Sequence, residues 1–268
     1  MWKNNQSLDN NLKPLCLIFE LTNNYESDIN KFSVNQNNQN NKYLLSYNSQ
    51  TIQSNNKDEV QNKLNLNGFK NYDYIYWIKN VFEEDYSKYI TIFNDLKKKN
   101  PNHCHVGLLN HNLEQIQNVN EELKKNNLKL FAVKNNFNIL NRLSSNKIID
   151  YCKKNDIHFF SYNIFEKGIL SGKYNTQNPI PQNMDWAEFY NDQIEKIERL
   201  NGIIKGKNYQ DKQIPIIYNI YKKTIPIIDI NDDINIKEAI NSVVTSLSSA
   251  EAAILERNID MVDIKLYE

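Results

Sequence analysis

Adjacent histidine and cysteine residues are the first place to look for chemistry in this chain. His103, Cys104 and His105 stand side by side and have the appearance of a metal-binding run. On a strand, successive side chains point to opposite faces, so the two histidines share one face and Cys104 points away from them. Three ligands on two faces do not converge on one ion, and no fourth partner is evident. We therefore predict that the chain has no metal site.

The other cysteine and histidine residues fit packing better than catalysis. Cys16 lies in an apolar run and Cys152 in a helix-like stretch, and neither has a histidine placed to activate its thiol. His158 precedes two phenylalanines on an apolar run, so we expect it to pack in the core or at its rim. A total of three cysteines excludes a disulfide scaffold, and the odd number fits a reducing compartment.

Glycine is scarce, with 6 in 268 residues. Phosphate-binding loops use glycine where the backbone approaches the ligand or adopts a positive φ. Neither G-x-G-x-x-G nor G-x-x-x-x-G-K-[ST] occurs, so both common nucleotide loops are excluded. Asn, in contrast, makes up about one residue in six. The chain is therefore Asn-rich, which we attribute to an AT-rich genome rather than to a prion-like segment.

The charge balance limits the classes of partner. Lys and Arg together number 32, as do Asp and Glu, so the net charge is zero. A general binder of nucleic acid or of anionic membranes would carry a basic excess. The first dozen residues are polar, and no apolar run approaches the roughly 18 residues of a membrane helix. We predict no nucleic-acid partner, no membrane partner and a cytoplasmic location.

Short apolar runs alternate with amphipathic stretches along the chain, which indicates repeated strand–helix units. The predicted strands cover residues 15–21, 43–47, 72–78, 106–109, 128–133, 157–162 and 225–230. The predicted helices cover residues 85–99, 112–125, 139–154, 193–204, 215–223, 236–243 and 248–257. The polar segment 174–192 contains two prolines and is predicted to be a surface loop over one end of the fold.

Unbroken apolar strands between helices favour a parallel sheet with helices packed on it. No linker-like stretch divides the chain, so one α/β domain over residues 1–268 is favoured, with a poorly defined segment at 1–14. A (β/α)8 TIM-type parallel barrel fits this pattern. Seven strands are predicted instead of eight, so we expect the first β/α unit of the barrel to be lacking.

Three motifs resemble the aldo-keto reductase family. The run SYNIFEKGILSGKY at 161–174 is similar to the family pattern YSPL-x-x-G-x-L-x-G-K-Y. The run VGLLNHNLEQ at 106–115 resembles iGvSNfn-leql, and AVKNNFNILNR at 132–142 resembles vQneYnlLnR. They occur in the family order and at the family spacing. The resemblance implies a barrel of the predicted kind and NADPH-dependent reduction of carbonyl compounds.

The resemblance also locates the family's catalytic tetrad of Asp, Tyr, Lys and His. Tyr25 falls at the tyrosine position, and Glu20 replaces the aspartate. Asn48 stands where the lysine is expected, and Lys79 stands where the histidine is expected. Only the tyrosine is unchanged.

These substitutions bear on proton transfer. In the family mechanism the tyrosine hydroxyl protonates the carbonyl oxygen, and a free tyrosine has a pKa of about 10. A neighbouring lysine favours the phenolate, which the uncharged Asn48 cannot do. Lys79 leaves two readings open. It brings a cation or an amine nucleophile back to the site, or it pairs with Glu20 in an inert salt bridge.

The resemblance implies a nicotinamide site as well. Asn110 keeps the amide of the family's Ser-Asn pair, Lys134 replaces the Gln of the next strand, and Tyr162 keeps the stacking ring. Lys134 retains hydrogen-bond donors but has no acceptor. At the phosphate end, Asp229 replaces a glycine and is followed by acidic residues at 232 and 233, which are expected to repel NADPH.

The sequence therefore predicts a catalytically degenerate aldo-keto-reductase-like barrel, a pseudoenzyme with a binding or regulatory role. Its expected partners are a small molecule at the barrel mouth or another protein. The alternative is an NADP(H)-dependent oxidoreductase that reduces a carbonyl at an altered site built on Tyr25 and Lys79. A decaying fragment is a third interpretation. The cofactor that the resemblance implies is NADP(H), and these interpretations differ in whether the chain binds it.

Overall fold

The structure is a computed structural model of the 268-residue chain. It describes residues 18–20, 44–46, 74–79, 87–99, 104–205, 212–229, 242 and 245–267. In this part of the chain no helix has both the length and the apolar composition needed to cross a membrane.

Seven strands are described, and each overlaps an apolar run that predicted it. They are β1 (Ile18–Glu20), β2 (Leu44–Ser46), β3 (Tyr74–Lys79), β4 (Cys104–Leu109), β5 (Ala132–Asn136), β6 (His158–Tyr162) and β7 (Ile225–Asp229).

The predicted position of β5, at 128–133, is wrong at both ends. The strand begins where pairing with β4 begins, because the amide of Phe131 donates to the carbonyl of Val106 at 3.1 Å and Ala132 then pairs with Gly107. It continues through Lys134 into two asparagines. These polar residues are buried or half-buried in the sheet, so an apolar run ends before the strand does.

Six of the seven described helices also follow the predicted pattern, and one, at Ala187–Asn191, lies in the segment predicted to be a surface loop. They are α1 (Ser87–Lys99), α2 (Leu113–Lys125), α3 (Leu143–Lys154), α4 (Ala187–Asn191), α5 (Ile194–Lys205), α6 (Gln213–Tyr221) and α7 (Ser249–Asp260), with a 3-10 turn at Ile169–Ser171. The predicted helix at 236–243 lies outside the described residues, apart from Ser242.

Local hydrogen bonds set the helix starts. Asn112 caps α2: its side chain accepts from the amide of Gln115, whose own side chain accepts from the amide of Asn112, both at 2.9 Å. Helix α3 begins four residues later than predicted. The side chain of Asn138 accepts hydrogen bonds from the amides of Leu140 and Asn141, at 2.9 and 2.8 Å, and this turn replaces the first helical turn.

The segment 174–192 is more ordered than the predicted surface loop. It contains helix α4, and Tyr174, Ile180, Ala187 and Tyr190 are all buried. The ring of Trp186 makes edge contacts with those of Tyr174 and Tyr190. Buried aromatic side chains thus fix this segment, although its tip at 181–185 is exposed as expected.

The chain divides into two compact units. Of the described residues, the first unit contains 18–20, 44–46, 74–79, 87–99, 104–135 and 147–160. The second contains 136–146, 161–205, 212–229, 242 and 245–267. One domain over residues 1–268 stays a prediction.

The first unit is built on parallel strands. Strands β1 and β2 pair in parallel, and β3, β4, β5 and β6 follow one another in that order. Trp77 on β3 is 1% exposed and packs edge-on against Phe160 of β6 with 5.3 Å between ring centroids. Its indole covers Gly107 of β4, where a Cβ atom would lie 2.6 Å from Cε3 of Trp77. The close packing of the Trp77 indole on β4 therefore requires glycine at position 107.

The second unit joins β7 to the end of β6 through buried polar groups. The hydroxyl of Ser161 donates to the carbonyl of Ile225 at 3.3 Å and lies 3.2 Å from the hydroxyl of Thr224. Thr224 in turn donates to Asn219 of α6 at 3.0 Å. Helix α6 is buried along almost its whole length, and the ring of Phe137 stacks on that of Tyr218.

Candidate functional site

The strand register brings two predicted site residues, Lys79 and Lys134, to one level of the first unit. Lys79 at the end of β3 pairs with Leu109 at the end of β4, and Leu109 pairs with Lys134 of β5. Glu20 is the last residue of β1 and pairs with Ser46. In parallel α/β folds, binding groups collect at the carboxyl ends of strands. The placement of these residues fits that rule.

Part of the predicted tetrad lies outside the described residues. The structure does not describe Tyr25 and Asn48, and for Glu20 and Lys79 it describes only the position on the strand. The proton-transfer roles derived for these four residues therefore stay predictions.

Lys134 is buried within the first unit. Its residue is 2% exposed, and its Nζ lies 5.8 Å from the ring centroid of Trp77, within the range of a cation–π interaction. An ammonium group donates hydrogen bonds and accepts none. Lys134 thus places a buried group that has donors only within β5, two residues before the strand ends at Asn136.

Asn110 is held in an unusual backbone conformation. Its φ is +59°, in the left-handed region, and its residue is exposed. Such a conformation costs on the order of 1 kcal/mol for a residue with a side chain and is best tolerated by Asn. The amide of Asn110 donates to the carbonyl of Lys134 at 3.0 Å, which ties the turn to β5.

A buried histidine fixes the turn from the other side. His111 is 1% exposed, its Nδ1 lies 3.0 Å from the carbonyl oxygen of Leu109, and its Nε2 lies 3.0 Å from the hydroxyl of Tyr89. A carbonyl only accepts, so Nδ1 carries the proton and Nε2 accepts from Tyr89. The side chain of Asn135 donates to the carbonyl of His111 at 2.8 Å. Asn110 therefore sits on a turn bonded at three points.

Burial controls the charge of this histidine. It lowers the pKa of His111 to about 4, while the hydrogen bond to the backbone of Leu109 acts in the opposite direction. The imidazole is therefore neutral at pH 7. Sequence reasoning missed His111, because its partner Tyr89 lies 22 residues earlier in the chain.

Tyr162 ends β6 in the second unit and is half-buried. Its carbonyl accepts from the amide of Phe137 at 3.4 Å, which places the end of β6 beside the end of β5. Directly after it, Asn163 has a φ of +55° and begins a tight turn.

Glu166 lies beneath this turn and was also missed by sequence reasoning. It is 2% exposed, and its carboxylate accepts from the side chains of Asn138 at 2.7 Å, Asn163 at 3.2 Å and Tyr190 at 3.3 Å. Three neutral donors from three segments thus converge on one buried carboxylate. No spacing in the sequence marks this group, since its partners lie up to 28 residues away.

The chain matches the model of the aldo/keto reductase family over residues 41–260. The chain belongs to this family. Among solved structures, it resembles the glycerol dehydrogenase of Gluconobacter oxydans, with a TM-score of 0.62 and 13% identity over 79% of this chain and 65% of that one. It also resembles an aldo-keto reductase from a Medee basin deep-sea metagenome library, with a TM-score of 0.58 and 15% identity over 94% of this chain and 83% of that one.

These findings confirm the predicted fold class, a (β/α)8 TIM-type parallel barrel of the aldo-keto reductase kind. The chain spans slightly less than two thirds of the length of the glycerol dehydrogenase that it matches. A search of curated proteins finds no match to the chain.

The nicotinamide cofactor of the aldo-keto reductase family fits this chain poorly. Asn110 could still offer its amide, and Tyr162 its ring. At Lys134, however, a carboxamide would meet an ammonium that cannot accept its N–H groups, in a place where water has little access. We derive no chemical step through this cofactor.

At the phosphate end, Asp229 is the last residue of β7, and residues 232 and 233 lie outside the described residues. The predicted repulsion between these carboxylates and a cofactor phosphate stays a prediction.

Among the described residues, His105, His158 and Cys152 pack in this aldo-keto-reductase-like barrel. The ring of His105 stacks on Phe131 at 4.0 Å, and His158 contacts the same ring at 4.8 Å. Burial lowers the pKa of His158 and raises that of the Cys152 thiol to about 12. Among the described residues, no cluster of three His, Cys, Asp or Glu side chains could hold a metal ion.

Proposed function

We propose that this chain is a catalytically degenerate aldo-keto-reductase-like barrel that works by binding rather than by NADPH-dependent reduction. The observation that carries the proposal is the buried side chain of Lys134 within β5, two residues before the strand ends at Asn136. The family resemblance implies a neutral glutamine at this position, with one acceptor and two donors.

The cost of Lys134 to cofactor binding follows from its burial. A carboxamide N–H left without an acceptor in a dry site costs about 1–3 kcal/mol of binding free energy, which lowers the affinity roughly 5-fold to 150-fold. A second positive charge on the oxidised ring adds repulsion, which is stronger inside a protein than in water. The replacement of the tetrad lysine by Asn48 argues against reduction as well, because an uncharged amide does not favour the tyrosine phenolate that proton transfer uses.

A second candidate is an oxidoreductase with an altered site, in which Tyr25 donates the proton and Lys79 lowers its pKa. The exposed position of Asn110 favours this reading, since a turn bonded at three points holds this residue at a fixed place directly after β4. Both candidates place a small molecule at the same end of the strands.

Calorimetric titration with NADPH and, separately, NADH distinguishes the two candidates. We expect no saturable binding of either cofactor to a sample that shows a cooperative thermal transition. Binding at micromolar affinity or tighter, about −8 kcal/mol, would overturn the proposed loss of cofactor chemistry. A panel of aldehydes with the wild type and with Lys79→Ala would then test the altered site.

The variant Lys134→Gln restores the neutral amide that the family resemblance implies. If Lys134 is the obstacle, this variant binds NADPH more tightly than the wild type does. Glu195→Gln, at an exposed position on α5, is the matched control and is expected to behave as the wild type.

A further inference from the structure

Three large apolar side chains are exposed on the second unit, around helix α7. Leu143 is 80% exposed, Ile254 is 60% exposed and Met261 is 65% exposed. Arg142 forms an ion pair with Asp260, so Leu143, which directly follows Arg142, lies at the same end of α7 as Met261. Single exposed apolar residues are common on protein surfaces, but several in one area mark a surface for association.

The exposed face of α7 has a spacing that is the same when read from either end. Four exposed side chains form one stripe along the helix, because they follow one another at intervals of four, three and four residues. They are Ala250, Ile254, Arg257 and Met261. Met261 belongs to this stripe because its backbone stays helical after the last residue of α7, with φ −67° and ψ −18°. The buried side chains, which fix α7 to the second unit, lie on the opposite face.

This symmetry of the stripe fits a second copy of the same helix. When two α7 helices pack antiparallel about a two-fold axis, the midpoint of each stripe lies at the axis. Ala250 of each copy then faces Met261 of the other copy, and Ile254 faces Arg257. A large side chain thus meets a small one at both ends of the contact, and the aliphatic part of Arg257 covers Ile254 at the centre.

Charges on the same face complement each other in this arrangement. In the part of the chain that the structure describes, the guanidinium of Arg257 makes no hydrogen bond or ion pair. Glu251 lies three residues before Ile254, so across the axis it is about 4.5 Å along the helix from the level of Arg257, within reach of a long side chain. The two copies therefore form two pairs of unlike charge. The net charge of the chain is zero, so two copies do not repel each other as whole molecules.

We propose that the exposed face of α7, together with Leu143, is the interface at which two copies of this chain form a two-fold symmetric dimer. One helix pair makes a small interface, so the dissociation constant is expected to be micromolar. The same surface is used on both copies, so association stops at two. This inference goes beyond the proposed function and does not depend on the loss of cofactor chemistry, because every residue of the interface lies in the second unit.

Sedimentation velocity of the full chain at increasing concentration tests the dimer. Between about 5 and about 500 μM we expect a change from monomer to dimer and no larger species. The double variant Ile254→Gln, Met261→Gln is expected to weaken the dimer at least about a hundredfold, because it removes the apolar contact. Met184→Gln, which changes an exposed methionine at the tip of the segment 181–185, is the control and is expected to dimerise as the wild type does. A monomer at every concentration, growth beyond the dimer or unchanged association of the double variant would overturn the proposal.

Exchanging the charges tests the antiparallel register. Arg257→Glu and Glu251→Arg are each expected to weaken the dimer at least about tenfold, because each variant alone creates two pairs of like charge. Mixing the two variants is expected to restore association, since both pairs in the mixed dimer are of unlike charge. Ser248 still caps α7 in Glu251→Arg, because its side chain accepts from the amide of residue 251. Wild-type association of each variant alone, or no gain on mixing two variants that both melt cooperatively, would contradict this register and overturn the proposal.

Discussion

Acidification is expected to destabilise this protein through His111, and His111→Gln should remove that part of the pH dependence. The imidazole is 1% exposed and neutral, with both ring nitrogens bonded. Burial lowers its pKa from 6.5 to about 4 in the native state. In the unfolded chain the same ring has its ordinary pKa of about 6.5.

The sign follows from proton binding. Between the two pKa values the unfolded state binds more protons than the native state, so stability rises with pH in this range. The contribution is fully present above about pH 6.5 and is lost progressively as the pH falls towards 4. The two pKa values differ by about 2.5 pH units, which corresponds to about 3.4 kcal/mol in total. Between pH 7.5 and 5.5 the expected loss is about 1.3 kcal/mol.

Equilibrium unfolding in urea at pH 7.5 and pH 5.5, followed by tryptophan fluorescence, measures this difference. The wild type should lose about 1.3 kcal/mol more than His111→Gln between the two conditions, because glutamine does not titrate. Tyr89→Phe is the control. It removes the hydrogen bond to Nε2 but leaves the ring buried, so its pH dependence should remain close to that of the wild type.

The other titrating groups are present in all three proteins, so their contributions to the pH dependence cancel when the proteins are compared. If His111→Gln and the wild type lose the same free energy of unfolding to within about 0.3 kcal/mol, burial does not hold this imidazole neutral. The assignment of Nε2 as an acceptor from the hydroxyl of Tyr89 would then lose its basis as well.

Three further substitutions or reagents test the packing described above. Gly107→Ala is expected to destabilise the protein by about 1–3 kcal/mol in urea unfolding, because the new methyl group would overlap the indole of Trp77. Gly202→Ala, in helix α5 with open space around it, is the control and is expected to be neutral or to stabilise by up to about 1 kcal/mol. Glu166→Gln should cost about 1–3 kcal/mol, since an amide N–H₂ would face donors that now bond a carboxylate. A melting temperature equal to that of the wild type would contradict this. Cys152 should resist thiol reagents at pH 8 in the native state, because burial raises its pKa to about 12, and rapid modification without denaturant would show that its environment is open.

The elements of this fold could be predicted from apolar periodicity, and their order matches the described strands and helices. The errors arise where polar side chains enter the structure. Strand β5 continues through Lys134, Asn135 and Asn136, which no apolar count includes. Helix α3 starts late because Asn138 forms a turn with its own neighbours. In both places local hydrogen bonding overrides the hydrophobic pattern.

At the candidate site, the sequence indicated some of the residues and gave no sign of others. Motif resemblance pointed to Asn110, Lys134 and Tyr162, because these residues lie in or directly after recognisable apolar strands. It did not reveal His111 or Glu166, whose importance comes from partners distant in sequence. A buried hydrogen-bond network depends on which segments contact each other in the folded chain, and a single sequence does not show which segments those are. Tertiary structure was needed to see both groups.

The described residues contain eight non-glycine positions with positive φ, and three of them are occupied by Asn, at 110, 127 and 163. This has a consequence for how such a chain tolerates drift in its genome's base composition. Exchanging glycine for asparagine at a left-handed position adds steric strain of about 1 kcal/mol. It also lowers the conformational entropy of the unfolded chain, which stabilises the folded state by about 0.4–1 kcal/mol. The two effects nearly cancel, so AT-rich codons can replace glycine codons at these turns with almost no thermodynamic penalty.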